Sequence, residues 1–135
     1  MTPLEGQEIL AANFAPWVQA LGLLVTHCDE SSAQLRLPFS ESLVRVGGTL
    51  CGQALMSAAD TAMVIAISSS LGGFKTMATV GQNISFMRAI AQRDVIITAR
   101  VLKPGRTLVF GEIEMRAAGE ERLAAHATTT YALAA

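Results

Sequence analysis

The chain has 135 residues, 51% of them hydrophobic and 16% charged, with a net charge of −1. This size fits one domain with a real core, and the near-neutral balance excludes an overall pull toward nucleic acid or an anionic membrane. Its two cysteines, Cys28 and Cys51, make no disulfide framework and no metal-ligand spacing, so a reduced, cytoplasmic setting is expected. So apolar a chain also predicts an oligomer with large buried interfaces.

Apolar Ile9, Leu10, Phe14, Trp17, Val18 and Leu21 recur at three- and four-residue steps, which predicts an amphipathic helix over Leu4–Leu21. Pro16 is expected to kink or shorten it, and Gly22 to stop it. With Glu5 and Glu8 and no basic run, this segment is not expected to be a signal peptide. Short strands follow at Leu23–Asp29 and Ala33–Phe39, joined by a polar turn. Pro38 marks the second as an edge strand or as ending there. Ser40–Gly48 reads as a loop.

A long helix is predicted over Thr49–Ser69, with Thr49 as N-cap and Gly72-Gly73 as its stop. It is apolar on nearly every side, so it belongs inside the protein. Leu50–Leu71 has the length of a membrane span, but a mid-span Asp60 would cost roughly 2.5–3.5 kcal/mol. A core helix is therefore expected.

Four strands are then predicted, Met77–Met87, Asp94–Leu102, Thr107–Arg116 and Arg122–Leu133, linked by successive hairpins. Lys103-Pro104-Gly105-Arg106 places Pro and Gly as the middle of a type II turn, and Gly119 marks the next turn. The fold class is α+β: an antiparallel sheet of about six strands curled around one long central helix, plus an N-terminal helix, in a single domain over residues 1–135.

Asp60 is the one charged residue between Arg45 and Lys75. Gln53, Ser57, Asp60 and Val64 share one helix face, giving a narrow polar stripe. Either Asp60 is a buried carboxylate satisfied by Ser57 or Thr61, or the stripe faces a cleft and Asp60 works there. The helix start, Gly47-Gly48-Thr49-Leu50-Cys51-Gly52-Gln53, offers unpaired N–H groups that could polarise a carbonyl, or merely a turn and tight packing. Gly52 and Asp60 lie about 12 Å apart along a helix axis, so one carbonyl would need Gly52 and Asp60 from different subunits.

Between Lys75 and Arg106 stand six basic residues and one acid, Asp94. That excess suits a phosphate-bearing ligand or a solvated strand face. His27 and His126 stand at no metal-ligand spacing, and no metal site, phosphate loop or dinucleotide fingerprint is read.

The run Gly48–Ala62 resembles the helix signature of hotdog-fold thioesterases of the phenylacetic-acid-degradation (PaaI) type. Thr79–Arg88 (TVGQNISFMR) resembles the strand that follows in that family, and Lys103–Thr107 its next hairpin. The likeness runs over roughly residues 20–133. It implies a sheet wrapped around a central helix, a homodimer or homotetramer, and active sites at the dimer interface. It also implies hydrolysis of an acyl-CoA thioester. Asp60 would be general base or nucleophile, and the Gly52 N–H would polarise the carbonyl from the partner subunit. A strand hydroxyl at or near Thr79 would orient water. Arg88, Lys103 and Arg106 would meet the phosphates of CoA, which is part of the substrate, so no cofactor is implied. Arg45, Cys51 and Gln53 would flank the thioester. Three positions depart from the family: Cys51 replaces its usual His, Arg45 its Asn or Gln, and Ala89 a Pro. A non-catalytic acyl-CoA-binding or regulatory hotdog protein is the alternative.

Overall fold

Thr2 and Glu5 open the fold with a reciprocal cap. The Glu5 N–H donates to Thr2 Oγ1 at 3.2 Å and the Thr2 N–H to Glu5 Oε1 at 2.9 Å. They start helix α1 (Pro3–Asn13) in this computed structural model, which describes residues 1–134. The predicted single N-terminal helix is in fact two. Pro16 has no N–H to continue the ladder, so α1 stops at Asn13 and a one-turn α2 (Pro16–Gln19) restarts with Pro16 in its first turn. The break turns Trp17 outward, leaving it 64% exposed instead of on a shared apolar face.

Six antiparallel strands follow: β1 (Leu24–Cys28), β2 (Ser32–Leu37), β3 (Met77–Phe86), β4 (Val95–Pro104), β5 (Leu108–Ala117) and β6 (Ala125–Leu133). β2 ends before Pro38, in the interior of the sheet, so the proline terminates the strand and does not mark an edge. The strand order is β1-β2-β4-β5-β6-β3. This corrects the expected run of successive hairpins, because β3 is hydrogen-bonded to β6 and not to β4. The flank of β4 away from β5 belongs to β2. Asp94, just before β4, holds β2 there by accepting from the Phe39 N–H and the Arg36 Nε–H, each at 2.7 Å. Those two bonds, the backbone one first, hold its carboxyl below the usual range. The segment between β3 and β4 instead crosses the start of the long helix, where Ile90 O accepts from the Leu50 N–H at 2.9 Å.

The long helix α3 (Gly52–Leu71) packs against β2, β3, β4 and β5, and thirteen of its twenty residues are buried. It is thus a core helix, as its all-round apolar surface requires. It closes on Gly72 at φ 79°, a left-handed cap that favours glycine. The strands meet it with alternating side chains: Leu35 and Leu37 from β2, Val95 and Ile97 from β4, and Ile113 and Met115 from β5 are fully buried.

The turn after β4 is not the predicted type II turn. Pro104 still pairs with Val109, and Gly105 does not take the positive φ that such a turn needs. Gly105 is required for another reason, since a Cβ there would lie 2.1 Å from Leu108 O.

Candidate active site

Asp60 lies two turns into α3, half-buried on the side facing β3 and β6. Thr79 on β3 and Tyr131 on β6 are direct partners across the sheet, and their hydroxyls meet on one carboxylate oxygen. Thr79 Oγ1 donates to Asp60 Oδ1 at 2.8 Å, and Tyr131 Oη donates to the same Oδ1, with Asp60 O 2.9 Å from the phenol. Tyr131 is 1% exposed. Burial, and then the adjacent Asp60 charge, push its phenol well above the ordinary tyrosine range, so it stays a proton donor. The helix hydroxyls are not the carboxylate's partners, for Thr61 Oγ1 turns back to Ser57 O at 2.8 Å.

Tyr131 is a site residue that the sequence reading missed. A signal was available. The chain has one tyrosine, and the inward alternation Ala125, Ala127, Thr129, Tyr131 of β6 aims it at the helix.

At the other end of β3 lies the start of α3. The N-cap is Cys51, not the predicted Thr49. Thr49 is held back in the preceding turn, where its carbonyl accepts from the Arg45 N–H at 2.9 Å. Its Oγ1 is buried without a partner among the described residues. Cys51 supplies no side-chain cap, which leaves the first-turn N–H groups free for another acceptor. Gly52 packs against Phe86 of β3, whose Cζ would stand 3.3 Å from an added Cβ. A hollow of about 370 Å³ opens here, lined by Arg45, Thr49, Gly52, Leu55, Phe86 and Arg88, among others. Arg45 Nη1 donates to Val46 O at 2.7 Å and Arg88 Nη1 to Leu123 O at 2.9 Å. These bonds hold both guanidinium groups by backbone oxygens, and neither is paired with a carboxylate among the described residues. Cys51 and Gln53 face elsewhere, toward a separate apolar hollow of about 240 Å³ with Trp17, Leu21, Leu43 and Ala54.

The candidate residues thus fall into two groups at opposite ends of β3. Thr79, Tyr131, Val109 and Pro104 form one continuous row across the sheet. Lys103 and Arg106 flank Pro104 in that end of the molecule, three strand spacings from β3. Phe86 pairs with Ala125, which pairs in turn with Met115, at the far end, beside Gly52, Arg45 and Arg88. Thr79 and Phe86 stand seven positions apart on β3, roughly 20 Å of strand. Two other basic residues of the segment are paired on the outer surface, Arg93 with Glu120 and Arg100 with Glu114. The histidines are also paired away from Asp60, His27 with Asp29 at 3.5 Å and His126 with Glu112 at 3.2 Å. Among the described residues, no group of three His, Cys, Asp or Glu side chains is set to hold a metal.

The thioesterase superfamily model matches residues 47–124, from the turn before α3 to the start of β6. The chain belongs to the thioesterase superfamily. Solved structures share its architecture along most of its length. A conserved protein from Pseudomonas aeruginosa is 33% identical, with a TM-score of 0.82 over 90% of this chain and 95% of that one. Zebrafish thioesterase superfamily member 2 is 25% identical, with a TM-score of 0.85 over 99% of each chain. A candidate esterase of Thermoplasma acidophilum is 28% identical over 97 residues, 66% of this chain and 67% of that protein. Membership of the thioesterase superfamily directs the site's chemistry to hydrolysis, and the helix wrapped by an antiparallel sheet is its hotdog fold.

Proposed function

We propose that the protein hydrolyses acyl-CoA thioesters to the free acid and CoA, as hotdog enzymes of the phenylacetic-acid-degradation type do, at sites shared by two subunits. The observation that carries this reading is the Asp60 carboxylate, held by two hydroxyls in an otherwise apolar helix whose free N-terminal N–H groups lie two turns away. Asp60 and Gly52 of one chain are too far apart to act on one carbonyl. The β3 edge supports the remedy. It is ten residues long and carries exposed Val80 and Phe86, the kind of open edge that takes another strand. Two copies paired antiparallel along β3 would set the Asp60 end of one beside the Gly52 end of the other.

In that arrangement the partner's Gly52 N–H would hold the thioester oxygen. The carboxylate of Asp60 takes a proton from water as the water oxygen bonds to the carbonyl carbon. The tetrahedral intermediate then expels the CoA thiolate, which takes up a proton. Direct attack by Asp60 is the other version, and the two differ in where labelled oxygen from water first appears. Arg45 and Arg88 from one subunit, with Lys103 and Arg106 from the other, supply cations for the CoA phosphates. Cys51 and Gln53 then border the acyl side, beside Trp17 and Leu43.

Release of CoA from an acyl-CoA panel tests the proposal. The wild type is expected to turn over at least one member, and Asp60→Asn to lose on the order of a hundredfold or more in kcat with its fold retained. Equal rates in the two proteins would defeat the reading. Tight acyl-CoA binding without turnover would favour a binding or regulatory role instead.

A further inference from the structure

We infer that Tyr131 is a positioning residue that, with Thr79, fixes Asp60 Oδ1 and so assigns the proton-accepting role to Oδ2. The inference rests on the hydrolytic reading above. Both side-chain hydrogen bonds to the carboxylate end on the same oxygen. They come from register partners on neighbouring strands, so the sheet itself sets their spacing. A carboxylate gripped at one oxygen by two donors cannot rotate its second oxygen freely. Asp60 sits at the margin of the buried helix surface, between fully buried Ala59 and Met63 and the side of exposed Met56 and half-buried Ser57. Its unclamped oxygen is therefore the one available to water.

Tyr131 suits this role better than a second serine or threonine would. Its ring is anchored in the core, and its hydroxyl reaches both the side chain and the main-chain oxygen of Asp60. The phenol thus ties the carboxylate to the helix backbone that carries it. Because the buried phenol keeps its proton, the bond persists wherever the carboxylate is ionised.

The chain has one tyrosine, so replacing every tyrosine with 3-fluorotyrosine alters Tyr131 alone. Fluorine makes the phenol a stronger donor, whereas Tyr131→Phe removes the donor and keeps the ring. For Tyr131→Phe, kcat is expected to fall about tenfold to a hundredfold with KM within about twofold. In the fluorinated protein the change is likewise expected in kcat, with KM held within about twofold. The fluorine resonance should also shift when Asp60→Asn is introduced, a readout that needs no turnover. An unchanged kcat in both folded proteins, or an effect on KM alone, would overturn the inference. If Tyr131→Phe does not fold, the fluorinated protein alone decides it by the same criteria. A wild type without hydrolytic activity would overturn the hydrolytic reading separately, and an unmoved fluorine resonance would still overturn the Tyr131–Asp60 link.

Discussion

The two edges of the sheet are finished in opposite ways. At the β1 edge, five residues long and bulged, α1 lays Gln7 across the strand. Gln7 Nε2 donates to Leu23 O at 3.0 Å, and its Oε1 accepts from the Val25 N–H at 2.9 Å. One side chain thus satisfies the backbone groups that another strand would otherwise seek. At the β3 edge, where seven of the ten residues are exposed, no side chain among the described residues does the same, and Asp60, Thr79 and Gly52 lie beside it. The difference teaches how one edge of the sheet is closed by a side chain while the other is left open.

The strongest way to break this comparison is to make β3 a poor partner. Val80 is 62% exposed near the middle of β3. Val80→Lys sets like charges near one another across a paired edge and is expected to yield a folded monomer with activity reduced a hundredfold or more. Sedimentation and CoA release check it, and full activity in a monomer would end the shared-site reading.

Gly52→Ala keeps the N–H but presses a Cβ onto the Phe86 ring, where only a few tenths of an ångström must give. A loss of about tenfold in kcat is expected, with little change in stability, measured by steady-state kinetics and thermal melting. At the closed edge, Gln7→Ala should cost about 1–2 kcal/mol of stability by denaturant unfolding. It should leave subunit mass and activity per folded molecule unchanged.

The smallest effect belongs to Asp94, which holds β2 against β4 on the closed side. Its folded-state carboxyl is depressed, by the Phe39 N–H first and Arg36 next. The stability it contributes is therefore present above the unfolded carboxyl value, about 3.9, and is lost as pH falls through the lower folded one. Asp94→Asn should lower stability at neutral pH, and the gap from wild type should narrow as pH falls below about 4. A gap that does not change with pH would assign Asp94 a role independent of its charge.

Most of the fold was legible because hydrophobic period carries it. The all-round apolar α3, the alternation in β2 and β5, and the Gly72 stop each follow from one local rule. The placement of β3 was not legible. Sequential strands suggest hairpins, and only the three-dimensional competition between β2 and β3 for the flank of β4 settles it. The split at Pro16 was half-read, since proline predicts a break but not that Trp17 turns outward. At the site, Asp60 stood out as a lone charge and family likeness pointed to Thr79 as a hydroxyl for water, but the bond between the two is seen only in the structure. Tyr131 lies 71 residues away in sequence. Its link to Asp60 exists only through the register of β6 on β3, which no local pattern encodes.

The spacing of Gly52 and Asp60 along α3 has a consequence for how such a protein would respond to its own abundance. If each site takes its acid from one chain and its N–H from another, a lone chain has no complete site. Specific activity would then fall on dilution through the subunit dissociation constant, and the rate would climb with the square of protein concentration below it. Two defective copies, one lacking the Asp60 carboxylate and one lacking a usable Gly52 N–H, would restore about a quarter of normal activity when mixed, because half the random pairs hold one intact site of two.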